Sequence, residues 1–379
     1  HWTRGLPWHF AMLNFYKDLA AKRQSAIGRW MAMDGYNRSL YTLNTSIAFG
    51  LKTGIWFIGG PYASREPDKN KRWNDDFHIN RIGRHMEPTY KLIGEMGRPV
   101  AVYSTPTKRD VANKDSKQIV PGKIAAFPKD HWLRIKQGEV LCGFFKLPDK
   151  SDVVWVANHN AYAWQGVVMA VQQSKAKPIV VSEFNRSKRS WQALGARKLV
   201  NFPISPADAR VFRFEARKPG EIQLADDTPD GAGDYNPEDH FEMIGKALSE
   251  RGELAGGKQP VVVYAYPTNR TRDNDDKSPG QPEGATPFPE DFPIELKQGE
   301  LLAAVFNLKD GGQVICYANS NALAWQGGLV VPKQEKNNPT VVSEFSQEAR
   351  KWIKLGPWGD VNFPVPPAGS AVFKFEKGN

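Results

Sequence analysis

Ala157-Asn158-His159-Asn160-Ala161-Tyr162-Ala163-Trp164-Gln165-Gly166 is answered further along the chain by Ala318-Asn319-Ser320-Asn321-Ala322-Leu323-Ala324-Trp325-Gln326-Gly327. Moving outward from this phrase, Gln137-Gly138-Glu139 returns as Gln298-Gly299-Glu300, and Val102-Tyr103-Ser104-Thr105-Pro106-Thr107 as Val263-Tyr264-Ala265-Tyr266-Pro267-Thr268. On the other side, Val181-Ser182-Glu183-Phe184 returns as Val342-Ser343-Glu344-Phe345, and Val211-Phe212-Arg213-Phe214-Glu215 as Val372-Phe373-Lys374-Phe375-Glu376. Every pair is 161 positions apart (325 − 164 = 161). A spacing that never drifts means a duplication without insertions, and it predicts two similar domains of roughly a hundred residues each.

From Pro99 onward apolar residues recur with a period of two. The runs Val100–Tyr103, Val140–Leu147, Val153–Asn158, Val167–Val171, Ile179–Phe184 and Arg210–Glu215 are separated by Pro, Gly, Asn and Asp turns. Such short punctuated strands predict antiparallel β-sandwiches, one over 99–217 and its copy over 260–379. The acidic stretch 218–259 reads as a linker with a short helix over Pro237–Arg251. That helix sits where the shift would place the helix before the first sandwich, so the duplicated unit is expected to be helix plus sandwich.

Residues 1–98 alternate helix and strand instead. Met12, Phe15, Tyr16 and Leu19 fall at helical spacing, and a strand from Ile27 to Met33 closes at Asp34-Gly35. Leu40, Leu43, Ile47 and Leu51 mark a second helix, followed by the apolar strand Gly54–Ile58. After a polar loop, Ile79, Ile82, Met86, Tyr90 and Ile93 define a third helix, kinked by Pro88 and ended at Gly97.

This order resembles the closing end of a (β/α)8-barrel glycoside hydrolase with C-terminal β-sandwich domains. Gly28–Met33 resembles strand seven, Gly54–Ile58 strand eight and Asp76–Met96 the last helix, while Pro206–Phe214 is similar to the last strand of the sandwich in such enzymes. The fold class so implied is α/β plus all-β: a partial barrel over 1–98, then the duplicated sandwiches. Five or six βα units that the family places upstream are absent, and a quarter-barrel cannot close its sheet. The chain, which starts at His1 without a Met, is therefore read as processed or truncated, its remaining barrel supplied by an upstream segment or a partner chain.

Composition narrows the classes. At 40% hydrophobic and 24% charged residues the chain has an ordinary globular balance. No apolar run approaches the ~20 residues of a membrane helix. The net charge of +10 conceals an asymmetry: residues 1–220 carry 36 Lys+Arg against 17 Asp+Glu (+19), and residues 221–379 carry 15 against 24 (−9). A basic face can attract anionic polysaccharide, nucleic acid or a membrane surface, with a solvated charged surface as the favoured competing reading and nucleic acid not the expected partner. The two cysteines, Cys142 and Cys316, are not copies of one another under the shift and read as buried free thiols.

Candidate sites follow from the resemblance and from chemistry. Barrel enzymes place catalytic groups after the C-terminal ends of strands, which singles out Asp34, with a turn role before Gly35 as the competing reading. Glycoside hydrolysis needs a pair of carboxylates, and Glu66 is a less plausible second. Pyranose faces stack on flat rings with polar edges, so Trp2, Arg4, Tyr36, Asn37, Arg38 and Tyr62 are candidate substrate-binding residues around the implied barrel mouth. Trp56, inside an apolar strand, reads as core. Residues lost from the second copy add Trp132 (Pro293 there) and Tyr162 (Leu323), alongside Trp155 (Cys316) and His159 (Ser320). The shared Asn-x-Asn and Trp164/Trp325 read as fold requirements: asparagines closing a turn and a tryptophan between sheets. Asp226, Asp230 and Asp234, around Gly231, resemble the start of a calcium loop that fails at its twelfth position, Pro237; an acidic linker is the alternative, and no other cofactor is expected.

The leading expectation is the C-terminal part of a secreted, extracellular or periplasmic carbohydrate-active enzyme, inactive in hydrolysis on its own. The alternative is a non-catalytic surface or matrix protein assembling, or binding glycan, through its tandem sandwiches.

Overall fold

Val140-Leu141-Cys142-Gly143-Phe144-Phe145 is buried at every position. A strand in a two-layer sandwich buries alternate residues, so unbroken burial demands cover on both faces. The computed structural model shows what supplies it. It describes residues 12, 13, 15, 17–19, 22, 27–32, 36–57, 75–106, 124–174, 176–218, 220, 222–223, 235–265, 286–289, 292–333, 339–346, 351–357 and 360–377, with the side chains of 27–32, 53–57 and 75–80 excepted. Two compact units divide at Asp227–Thr228, residues 163–166 and 201–203 counting with the second.

The first unit opens with β1 (Ile27–Ala32), α1 (Tyr36–Ala48) and β2 (Leu51–Phe57). The two strands pair in parallel, so α1 is the crossover of one βαβ unit. Then come α2 (Asp75–Met86), a single 3-10 turn at Glu87–Thr89 around Pro88, and α3 (Tyr90–Glu95). The kink expected at Pro88 is thus a short tightening of the helix, as a missing N–H requires.

Ten strands follow: β3 (Ala101–Ser104), β4 (Ala125–Ala126), β5 (Leu133–Gln137), β6 (Val140–Lys146), β7 (Asp152–Asn158), β8 (Gln165–Val171), β9 (Ile179–Asn185), β10 (Ser190–Ala196), β11 (Leu199–Ile204) and β12 (Ala209–Ala216). They form a seven-stranded sheet, β10-β9-β12-β7-β6-β3-β4, and a three-stranded one, β11-β8-β5. In the large sheet the pairings are antiparallel except for the short β3–β4 contact, and β5 pairs antiparallel with β8.

The second unit repeats this strand by strand. After α4 (Glu238–Glu250) come β13 (Val262–Ala265), β14 (Thr286–Pro287), β15 (Ile294–Gln298), β16 (Leu301–Asn307), β17 (Gln313–Asn319), β18 (Gln326–Pro332), β19 (Thr340–Ser346), β20 (Lys351–Gly356), β21 (Val361–Val365) and β22 (Ser370–Lys377). Their sheet order is that of the first unit. The protein is mainly β-sheet, in two similar pairs of sheets. The Gln-Gly-Glu phrase is explained by its middle residue. Gly138 and Gly299 hold φ of 101° and 109°, a left-handed conformation that a side chain would oppose.

Each large sheet is buried twice. In the second unit Leu301, Ala303, Val305, Ile315, Tyr317 and Phe373 face the small sheet's Leu296, Val330 and Phe363. The alternate residues Leu302, Ala304, Phe306, Val314 and Cys316 pack under Phe241, Ile244 and Leu248 of α4. In the first unit the corresponding outer residues, Leu141, Phe145, Val153 and Trp155, share a core with Tyr41, Ile47 and Ala48 of α1, and with Met86, Leu92 and Met96. Gly97 and Ala255 donate their N–H groups to Lys146 and Asn307 respectively. Those donors are 158 apart (255 − 97 = 158) and the acceptors 161, so each sandwich carries a preceding helical layer, joined by connections that differ by three residues.

Helix α1 lies very close to β6. A Cβ added at Gly143 would stand 2.2 Å from the carbonyl oxygen of Ala48, whereas the second copy has Ala304 there. Gly143→Ala is therefore expected to cost the first unit about 1–3 kcal/mol, as overpacking does. Urea unfolding followed through Trp fluorescence reads this out, and unchanged stability would mean that α1 does not press on β6.

Candidate functional site

Beyond its first turn α1 is buried almost all round, yet it is rich in hydroxyls and amides. Most of these close on the helix itself. Thr42 Oγ1 donates to Arg38 O (2.9 Å), Thr45 Oγ1 to Tyr41 O (2.7 Å) and Ser46 Oγ to Thr42 O (2.6 Å). Others tie the helix to the sandwich: Asn44 Nδ2 donates to Ala207 O (2.9 Å), and the Trp155 indole N–H donates to Asn44 O (3.1 Å).

His159 sits at the end of this contact, 2% exposed. Its Nε2 is 2.7 Å from Ser104 Oγ, and its Nδ1 is 3.5 Å from the Tyr41 hydroxyl, the outer limit of a hydrogen bond. Ser104 spends its own proton on Thr105 O (2.7 Å). With the Ser104 proton on Thr105 O, Nε2 carries the hydrogen and donates to Ser104, and Nδ1 faces the tyrosine. A serine whose proton points away from the imidazole, in a fully buried pair, is not an activated nucleophile. Burial pushes the His159 imidazole down to about 3. This Ser–His pair is a structural bolt between α1 and the sheet.

A second polar cluster gathers four elements. Asp208, in the turn before β12, receives Arg186 Nη1 on both carboxylate oxygens (2.9 and 3.0 Å). It also contacts His85 Nε2 of α2 (3.0 Å), Ser205 Oγ (3.2 Å) and the Ala209 N–H (2.7 Å). Burial alone would raise the Asp208 carboxyl, but Arg186, His85 and the Ala209 N–H outweigh it and hold the group well below the usual carboxylate range. Tyr36, the first residue of α1, feels the charges of both Arg186 and Asp208, and the Arg81 guanidinium lies 4.0 Å from its ring centroid.

The third feature is the pair Arg38–Tyr162. Arg38 Nε donates to the Tyr162 hydroxyl, and its guanidinium lies 5.9 Å from the ring centroid. Tyr162 is 49% exposed, unusual for so large a ring on a sandwich turn. Of the residues singled out in the sequence, Tyr36, Asn37, Arg38 and Tyr162 therefore come together around the first turn of α1. Trp132 does not join them. It is half-buried against Phe214 and Phe144, with centroids at 5.0 and 6.2 Å, at the edge of an aromatic cluster with His131, Tyr103 and Phe127. Trp2, Arg4, Asp34, Tyr62, Glu66, Asp226, Asp230 and Asp234 lie outside the described residues, as do the side chains of Trp30 and Trp56. Among the described residues no group of three or more His, Cys, Asp or Glu stands ready to hold a metal ion.

The Asn-x-Asn phrase has the turn role expected of it. Asn158 Oδ1 accepts from Asn160 N (2.7 Å) and Asn160 Oδ1 from Tyr162 N (2.9 Å); Asn319 and Asn321 do the same at 2.8 Å each. The tryptophans differ from expectation. Trp164 and Trp325 are only half-buried, and the fully buried indole is Trp155, on the helix-covered face of the sheet. Cys142 and Cys316 are free and buried. What the sequence reading missed is the Arg186–Asp208–His85–Arg81 cluster, whose members are scattered over more than a hundred positions with no motif linking them.

No family model matches the chain, and no curated protein matches it. Among solved structures the isomalto-dextranase of Arthrobacter globiformis T6, complexed with panose, is similar at 11% identity with a TM-score of 0.24, over 92% of this chain and 47% of that one. This chain thus spans about half the length of that enzyme, and so slight a likeness carries neither fold nor activity across. No helix among the described residues is long and apolar enough to cross a membrane.

The buried imidazole has a consequence for stability. The unfolded chain protonates His159 as pH falls through 6.5, whereas the folded chain resists until about 3. The first unit should therefore lose ~1.4 kcal/mol per pH unit across that window. Asp208 adds its own loss only below its ordinary value of 3.8. His159→Gln is expected to flatten the slope between pH 6 and 4 in chemical denaturation. An unchanged slope would assign the acid sensitivity elsewhere.

Proposed function

We propose that this chain is the C-terminal part of a secreted, glycoside hydrolase-like carbohydrate-active enzyme. In this reading residues 1–98 are the closing end of a (β/α)8 barrel, and 99–217 and 260–379 are accessory sandwiches on either side of the acidic 218–259 linker. The observation that carries it is the parallel β1–α1–β2 unit, which sets Tyr36, Asn37 and Arg38 just past the C-terminal end of β1. Barrel enzymes assemble their clefts at that end of the strands. A tyrosine ring, an amide and a guanidinium together offer a stacking face and forked donors for sugar hydroxyls.

The sandwich adds Tyr162 to this wall by contact with Arg38. Asp34 would stand in the same turn after β1 as one of the two carboxylates that glycoside hydrolysis uses, the other coming from strands upstream. The chain on its own is then a binding wall rather than a complete catalyst. Trp132, in its separate aromatic cluster, would serve a second sugar contact, and a calcium ion held by Asp226, Asp230 and Asp234 would brace the linker.

Affinity electrophoresis through a panel of soluble polysaccharides tests this reading. At least one should retard the chain, and Arg38→Ala and Tyr162→Ala should each weaken retention roughly tenfold, the scale of losing one charged hydrogen bond with its stacking. Retardation by none of the panel, or indifference to both substitutions, would remove the support for a glycan-facing wall.

One observation favours a second reading, a surface or matrix protein assembling through its sandwiches. The two parts of the chain are opposite in charge, +19 over residues 1–220 and −9 over 221–379. A basic region of one molecule would then meet the acidic region of the next. Such association should fall steeply between low and 0.5 M salt in sedimentation velocity, since the screening length shrinks to a few ångströms. A salt-independent mass would sink it.

A further inference from the structure

Asp208 has no capacity left to serve a further cation. An ionised carboxylate offers about four acceptor sites, and Arg186, His85, Ser205 and the Ala209 N–H already converge on it at 2.7–3.2 Å. Arg186 is equally committed, its Nη2 donating to Ala209 O at 2.7 Å. The next ion pair along, Arg189 with Glu87, uses the neighbouring acid. The pairs built by the described residues around this cluster thus leave Arg81 out.

Arg81 is exposed, and it is held by the ring and hydroxyl of Tyr36. A guanidinium stacked on a tyrosine loses less freedom on binding than one waving in solvent, and its remaining N–H groups form a fork suited to a two-oxygen anion. Burial raises the Tyr36 hydroxyl above its ordinary value against the opposing effect of Arg81, so it stays protonated and can donate. Arg84, one turn along α2, is also exposed.

The second copy ties its helix to the equivalent turn by other means, His240 of α4 lying 3.2 Å from Ala368 O and 3.1 Å from Ser370 Oγ. Asn185-Arg186-Ser187-Lys188-Arg189 corresponds to Ser346-Gln347-Glu348-Ala349-Arg350, and Asp208 to Gly369, while the sheet order is unchanged.

We infer that Tyr36 and Arg81, backed by the Arg186–Asp208–His85 cluster, form a subsite for an acidic group carried by a sugar, a carboxylate or a sulfate ester. Arg81 supplies the fork and the positive charge. Tyr36 supplies a hydroxyl donor and fixes the guanidinium, and the saturated Asp208 keeps Arg186 from competing for the space. The inference rests on the carbohydrate reading and gives it a substrate class, an acidic glycan.

Titration calorimetry of the whole chain with three probes tests it: a glucan oligosaccharide, the same oligosaccharide sulfated, and a galacturonate oligosaccharide of equal length. An acidic probe should bind at least tenfold more tightly than the neutral glucan, and the better of the two identifies the group. Arg81→Ala and Tyr36→Phe should erase most of that preference, whereas Lys354→Ala, an exposed cation of the second copy, should change it less than twofold. Equal loss from Arg81→Ala and Lys354→Ala would reduce the effect to long-range charge and overturn the subsite. Neutral glucan binding as tightly as both acidic probes would overturn the subsite while leaving the carbohydrate reading standing. Binding of none of the three would count against both.

Discussion

The structure depends on covering both faces of one sheet. In each copy the central strands, β6, β7 and β12 or β16, β17 and β22, bury one row of side chains against the small sheet and the other under helices. Burying a Leu or Phe side chain is worth about 1.5–3 kcal/mol. Exposing the outer row of Leu141, Phe145, Val153 and Trp155, or of Leu302, Phe306, Val314 and Cys316, would forfeit several such contributions at once. A sandwich with this sequence is unsatisfactory without its helical layer, which is why a helix precedes each copy.

The same constraint explains where the copies diverged. Gly143, Trp155 and His159 became Ala304, Cys316 and Ser320. In the first unit α1 lies where a Cβ on residue 143 would strike Ala48, the Trp155 indole reaches up to Asn44 O, and His159 abuts Tyr41. In the second unit α4 covers the sheet, and its Gly245 lies against the connection that follows, a Cβ there falling 1.9 Å from Lys258 O, with the Phe306 ring of the sheet at 3.1 Å. Under it the sheet offers small Ala304 and Cys316, and Ser320 turns back to Glu300 O at 2.6 Å. Three substitutions that look unrelated in sequence answer one difference, the identity of the covering helix.

The duplication, the strand-like runs and the helix before the second sandwich were legible because each is local or repeated. The helix expected over Pro237–Arg251 lies at Glu238–Glu250. Strands β5, β10 and β11 escaped notice because their outward positions carry Arg134, Lys136, Gln192 and Asn201, which dilute the apolar alternation on sheet margins. Trp164 looked like core because both copies keep it, whereas Trp155, the buried indole, looked dispensable because the second copy lacks it. Retention between copies reports what both helical layers require, and it is silent on what only one of them does. The Asp208 cluster was invisible for a different reason: its geometry is made by the packing of α2 against two turns of the sandwich, and no spacing in the chain encodes that.

The residues peculiar to the first copy separate by direction, and the separation bears on function. Gly143, Trp155 and His159 face the helix and are consumed by docking it. Arg186 and Asp208 lie at turns and hold His85 of α2, whereas Tyr162 meets Arg38 of α1; Gln347, Gly369 and Leu323 stand at these positions in the second copy. A 49% exposed tyrosine under a guanidinium adds little to folding, since surface pairs of this kind are worth about 0.5–1 kcal/mol. The forked donors and aromatic edge at the first turn of α1 are carried on a helix that Asn44, Trp155 and His159 hold against the sheet, so their positions are set by the same contacts that cover it.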